Sequence, residues 1–190
     1  MAAPTPKTPA RRADAERNRE KLLVTAREAF ADPGAEVSMA EIARRAGVGM
    51  ATLYRNFPGR RELLEAVYTD DVDAVCAAAE AGGAATPGEA LTAWLRRFFA
   101  FYRSKRHVGN ELLARTDEHN PVVHSGRPRV MAAGGPLLDA ARSAGDVRDD
   151  LSLEQLLEAV VAIARIDGDP GHVEPILEAF LDGLRPPAPC

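Results

Sequence analysis

Between Ser38 and Pro58 the chain reads SMAEIARRAGVGMATLYRNFP, and no other segment restricts its folding as tightly. Ser38 followed by Glu41 is a capping-box pattern: the serine side chain accepts from the third helical N–H, and the glutamate reaches back to the serine N–H. Ile42, Ala43 and Ala46 give the helix an inward face, and Gly47 supplies the left-handed residue that ends it after about two turns. A third helix starts after Gly49. At 100° per residue Leu53 and Phe57 lie within about 40° of each other, with Ala51, Thr52, Tyr54 and Arg55 on the opposite half. Pro58-Gly59 stops it.

The surrounding sequence predicts more helices and no sheet. Hydrophobic residues make up 46% of the 190, but aromatics only 5%; with alanine abundant and no convincing alternation, the composition suits closely packed helices. The first helix is expected from Asp14 to the Asp32-Pro33-Gly34 stop, with Leu22, Leu23, Ala26, Ala29 and Phe30 inward. A long fourth helix runs from about Gly59 to Ala81. Beyond the Gly82–Gly88 turn we expect a helix over Glu89–Arg106, helical fragments at Asn110–Arg115 and Pro121–Ser143 interrupted by Pro128 and Gly134-Gly135-Pro136, and helices over Leu153–Ile166 and Val173–Leu184. The sum is an all-α chain of about nine helices. Residues 1–12, with three prolines and three basic residues, predict a disordered basic arm; residues 13–60 form a small helical domain, 61–185 a larger one, and 186–190 a tail.

Charge separates the same two parts. Residues 1–62 hold 12 Lys+Arg against 8 Asp+Glu, and the rest 12 against 20, within a net charge of −4. A basic end is drawn to polyanions while an acidic body resists non-specific adhesion. No run of eighteen apolar residues and no secretory leader are present, so a soluble, cytoplasmic protein without membrane contact is expected. Cys76 and Cys190 have no metal-ligand spacing, and without an export signal a structural disulfide is not expected, although Cys190 on a loose tail is able to oxidise between chains.

Two short helices joined by Gly47-Val48-Gly49, the second with a polar outward face, have the dimensions of a helix-turn-helix. Gly49, Met50 and Ala51 keep its tip slim enough to approach base edges. Thr52, Tyr54, Arg55 and Asn56 carry groups that reach phosphates or bases, Asn56 partly facing inward. Gly59-Arg60-Arg61 opens the long helix, whose free N–H groups and positive dipole end, with the Arg60 charge, suit a phosphate.

From about Asn18 to Tyr68, and above all over SMAEIARRAGVGMATLYRNFPGRRELLEAVY, the chain resembles the DNA-binding domain of TetR-family bacterial transcriptional regulators. Thr52-Leu53-Tyr54, Phe57, Arg60 and Leu63-Leu64-Ala66-Val67 carry the likeness. It implies an N-terminal three-helix domain joined by a long helix to a C-terminal helical domain for ligand binding and dimerisation. It also implies a homodimer that binds operator DNA as a repressor, released when a small molecule binds. A ligand-activated activator of the same family is the alternative, and a helical carrier or enzyme a third reading. The DNA contacts it implies fall on Ser38, Met39 and Ala40, on Gly49, Met50, Ala51 and Thr52, and on Tyr54, Arg55, Asn56 and Arg60.

Five of the ten aromatic residues lie in Trp94–Tyr102. Core packing accounts for any one of them; a pocket between helices equally needs large apolar walls with a few polar groups. The resemblance implies a ligand site drawn from Trp94, Phe98, Phe101, Tyr102, Leu113, His119, Val123, Arg127 and Met131. Leu156, Leu157, Val160, Val161, Ile163 and Ala164 exceed what one stripe requires, so we expect the last two helices to build the dimer as a four-helix bundle. Asp117, Glu118, His119 and His124 lack a repeated ligand spacing, and Ser125 sits in no nucleophile motif; neither a metal, a cofactor nor an enzymatic activity is expected.

Overall fold

The computed structural model describes residues 9–31, 37–114 and 121–186, with side chains described over 13–30, 37–104 and 125–186. Among the described residues the chain is entirely helical: α1 (Pro9–Ala31), α2 (Met39–Ala46), α3 (Met50–Asn56), α4 (Arg60–Glu80), α5 (Pro87–Ala114), α6 (Pro121–Ser143), α7 (Leu153–Ala164) and α8 (Pro170–Asp182). It divides into two compact units, residues 1–67 and 68–190, with the boundary inside α4.

In the first unit α1, α2 and α3 pack on one another around Leu22, Ala26, Phe30, Ile42, Leu53 and Phe57. The Ser38 hydroxyl accepts from the Glu41 N–H at 3.2 Å, but only this half of the expected capping box is made. The Glu41 carboxylate turns to the two following arginines, accepting from Arg44 Nη2 and Nε at 2.8 Å and from Arg45 Nε at 2.7 Å. The Arg44 hydrogen bonds, then that of Arg45, lower the Glu41 pKa to about 2. Gly47 closes α2 at φ 64°; its N–H bonds Arg44 O at 3.2 Å, and the Val48 N–H bonds Ala43 O at 3.0 Å. That pair of bonds is a Schellman cap. A Cβ at Gly47 meets nothing within 4 Å, so only backbone strain opposes it. Gly47→Ala is expected to cost about 1–2 kcal/mol, read as a lower urea midpoint with an unchanged slope.

α1 begins at Pro9, not Asp14. Proline is favoured at the first helical position because its missing N–H has no partner there in any case, so residues 9–12 of the expected arm belong to a helix. Residues 1–8, the Asp32-Pro33-Gly34 stop and the tail residues 187–190 lie outside the described residues.

The second unit is built around α5, which packs against α6 and α7. The expected helix and fragment between Glu89 and Arg115 are one helix of 28 residues. The Glu89 N–H donates to the Thr86 hydroxyl at 3.2 Å, the Ala85 N–H to the Glu89 carboxylate at 3.0 Å, and the Gly88 N–H to Asp146 Oδ2 at 2.8 Å. These bonds, with Pro87 as the first residue, start α5 two residues earlier than the apolar pattern showed.

α6 corrects a second expectation: it runs unbroken from Pro121 to Ser143 with Pro128 and Pro136 inside it. Each internal proline forfeits a backbone hydrogen bond; the burial of Val130, Leu138 and Ala141 in the core offsets that loss. Gly134 has a packing role, because a Cβ there would collide with the Trp94 ring.

Ser152 and Gln155 make a complete capping box on α7, Ser152 N–H to Gln155 Oε1 at 2.8 Å and Gln155 N–H to Ser152 Oγ at 3.2 Å. Asp169 caps α8 through the His172 N–H at 3.0 Å, with Pro170 first in the helix, three residues before the expected start. Arg96 of α5 pairs with both carboxylate oxygens of Glu178 in α8 at 2.8 and 2.6 Å.

Candidate nucleic-acid interface and effector cavity

The outward face of the first unit is made by α2 and α3. Ser38, Ala40, Gly49, Met50, Ala51, Tyr54 and Arg55 are exposed, whereas Met39, Thr52, Asn56 and Arg60 are half-buried. Met50 at 39% and Tyr54 at 48% are two of the four large apolar side chains exposed among the described residues, so the fold does not use them. The helix beneath is anchored by Leu53 and Phe57, at most 2% exposed, with the Arg19 guanidinium 4.8 Å from the centre of the Phe57 ring.

Local bonds sort the polar groups on this face. Arg55 Nη2 donates to Thr52 Oγ1 at 2.7 Å, an exposed contact that holds the guanidinium along the helix. Asn56 Nδ2 donates to the Thr52 carbonyl at 2.8 Å, part-buried. Arg60 is engaged inside its own unit: its guanidinium donates to the Val37 carbonyl and lies 4.8 Å from the centre of the Phe30 ring. Gly49 is the informative residue. Its φ is −66°, its position caps α3 without a side chain, and a Cβ would meet nothing within 4 Å. The fold therefore places no demand for glycine at the tip of α3.

The second unit carries a cavity of about 690 Å³, open on one side to solvent and walled by α4, α5, α6 and α7, within the range of small-molecule sites. Phe98, Phe101, Tyr102, Arg127 and Met131 line it. Trp94 does not: it is 2% exposed and its Nε1 donates to the Val75 carbonyl at 3.0 Å, which makes it core. His119 and the side chains of Leu113 and Val123 lie outside the described residues.

Tyr68 and Val72 of α4 and Leu157, Val161 and Ala162 of α7 complete the apolar wall, with Arg165 just after α7 at its edge. Of these, Leu157 and Val161 were expected in the dimer surface, and none was among the expected ligand residues. Tyr68 and Phe101 lie 6.0 Å apart between ring centres, Phe98 and Phe101 6.1 Å, Phe98 and Tyr102 6.3 Å. Burial, then the Tyr102 phenol, pushes the Tyr68 hydroxyl pKa up. A Cβ at Gly126 would sit 2.8 Å from the Tyr68 hydroxyl oxygen, so glycine lets α6 approach that wall.

The broad apolar face of α7 is used within its own chain. Leu156, Leu157, Val160 and Ala164 are buried, and Val161 and Ile163 pack on the same core. Much of its width is therefore accounted for within the chain. No helix among the described residues is long and apolar enough to cross a membrane.

An exposed recognition helix in a basic unit, followed by a helical unit with an aromatic cavity, defines a helix-turn-helix regulator. Residues 22–67 match the family described as bacterial regulatory proteins, tetR family, and residues 86–186 match the C-terminal domain of SbtR-like transcriptional regulators. A TetR transcriptional regulator of Streptomyces coelicolor is 36% identical, covering 90% of this chain and 99% of its own with a TM-score of 0.77. A TetR regulatory protein of Mycobacterium vanbaalenii is 34% identical, over 92% and 98%, with a TM-score of 0.73. An HTH-type transcriptional regulator of Staphylococcus aureus strain USA300 is 40% identical over 63 residues, 33% of this chain and 34% of that relative's length. The chain belongs to the TetR family of transcriptional regulators, whose members are DNA-binding proteins and not enzymes.

Proposed function

We propose that this chain is a homodimeric, cytoplasmic repressor that leaves a palindromic operator when a small molecule fills the cavity. What supports the reading most is an exposed α3 face whose tip glycine the fold does not need, in a chain that also carries an aromatic cavity. Two such helices related by a two-fold axis enter successive major grooves about 34 Å apart. Gly49, Met50 and Ala51 approach base edges, and with no bidentate side chain among them, direct reading rests on thymine methyls and on Arg55. Ser38, Met39, Ala40, Thr52 and Tyr54 flank the backbone. Asn56 and Arg60 contribute by holding the surface, since both are bonded within the unit; the phosphate beside Arg60 is met by the first N–H groups of α4.

The dimer forms through α7 and α8, where Ile176 is 37% exposed. Tyr68 and Val72 belong to the helix that begins at Arg60, so a ligand against them biases the position of α4. By linkage, the ligand weakens DNA binding by the factor by which DNA weakens ligand binding. Transcription in vitro from the promoter beside the chain's own gene tests the sign of control. The purified protein alone should lower the transcript severalfold; an increase that appears only with ligand would assign an activator, and no effect in either condition would leave a helical carrier.

A further inference from the structure

We propose that the effector is a planar aromatic monocarboxylate, its ring system among Tyr68, Phe98, Phe101 and Tyr102 and its carboxylate on Arg165. This rests on the cavity being the effector site and adds the chemistry of what enters. The cavity wall carries four charged side chains, Arg127, Glu154, Glu158 and Arg165, and they are not equivalent. The Arg127 guanidinium pairs with the Glu154 carboxylate and stands 4.0 Å from Glu158. Cation and carboxylates at that end neutralise one another, with one negative charge in excess.

Arg165 is different. Its Nη2 donates to the Tyr102 hydroxyl at 3.1 Å, and its guanidinium lies 5.9 Å from the centre of the same ring. Among the described residues no carboxylate lies within ion-pair distance of it, so a full positive charge with five N–H donors is bonded within the protein only to a neutral oxygen. A carboxylate matches that planar fork with two parallel charge-assisted bonds. Glu158 and Arg165 are seven residues apart, two helical turns or about 10.5 Å along the axis and on nearly the same face. The wall is therefore negative at one end and positive at the other, which orients an anion toward Arg165. Val161 lies between them and Leu157 beside Glu158, in one cavity wall with the aromatic side chains, and such walls favour a flat ring held by stacked and edge-on contacts. An aromatic wall also attracts cations, but Arg165 over Tyr102 repels one from the ring, and at the other end Arg127 offsets one of the two carboxylates.

Calorimetric titration of the full chain with 2-naphthoate, 2-naphthylmethanol and 2-naphthylmethylammonium separates the possibilities, because the three probes share a ring system and differ in charge. Naphthoate should bind about tenfold or more tightly than the alcohol. Arg165→Gln should remove that margin while the affinity for the alcohol stays the same, and Arg165→Glu should move the preference to the ammonium. Arg165 is exposed, so thermal melts of both variants should match the parent; if a variant fails to fold, the ranking on the parent chain decides. The alcohol or the ammonium binding the parent as tightly as naphthoate, or a carboxylate margin that survives Arg165→Gln, overturns the anion while leaving the cavity an effector site. Binding of none of the three at millimolar concentration overturns both.

Discussion

Trp94→Ala should destabilise the second unit by about 3–5 kcal/mol, the largest single loss anticipated for this chain. For a protein of this size that is a fall in Tm of roughly 6–20 °C. The ring is 2% exposed, stacks on Phe98 at 6.2 Å, and donates to the Val75 carbonyl, so truncation removes contacts to α4 and α5 together. Gly134→Ala acts on the same place from the other side, since the added methyl collides with the ring; overpacking of this kind costs about 1–3 kcal/mol. The two changes are coupled, because without the ring the methyl has room. The double variant should therefore lose less than the sum of the single losses, which thermal or urea unfolding of the four proteins measures.

Gly49→Asp is expected to part folding from function. At the cap of α3 an aspartate accepts from an otherwise unpaired N–H and complements the helix dipole, so stability should hold or rise by a few tenths of a kcal/mol. On DNA the same carboxylate enters a groove flanked by phosphates, and like charges brought together cost about 2 kcal/mol or more, roughly a 30-fold loss of affinity. Fluorescence anisotropy with duplex DNA, beside a thermal melt, reads both quantities from one preparation. A variant that melts like the parent and binds DNA equally well would remove the tip of α3 from the interface.

The helix-turn-helix was readable because its signals are local. Ser38, Gly47 and Pro58 bound α2 and α3 by capping and backbone geometry that each residue carries with it, and the structure ends both helices there. Where long-range contacts decide, periodicity ran out. Pro128 and Gly134-Gly135-Pro136 look like breaks, yet α6 continues through them because Val130, Leu138 and Ala141 are buried and Gly134 makes room for Trp94. The early starts of α5 and α8 did have local signals, Thr86-Pro87 with Glu89 and Asp169-Pro170, which an apolar pattern alone passes over.

The cavity was half visible. An aromatic cluster announces bulk but not which side of it is empty, so Phe98, Phe101 and Tyr102 were found together with Trp94, which is core. Leu157 and Val161 of the α7 wall were expected only in a dimer surface, because an apolar stripe does not say what covers it. The missed polar signals were Tyr68 on α4 and Arg165 just beyond α7.

The direct test of DNA recognition by the α2–α3 face is the ratio of two affinities at physiological salt, for the DNA upstream of the chain's own gene and for a scrambled duplex of equal length and composition. A sequence-reading regulator prefers the first by about 10³-fold or more, with both affinities falling as salt rises. Equal affinity for the two duplexes would contradict it.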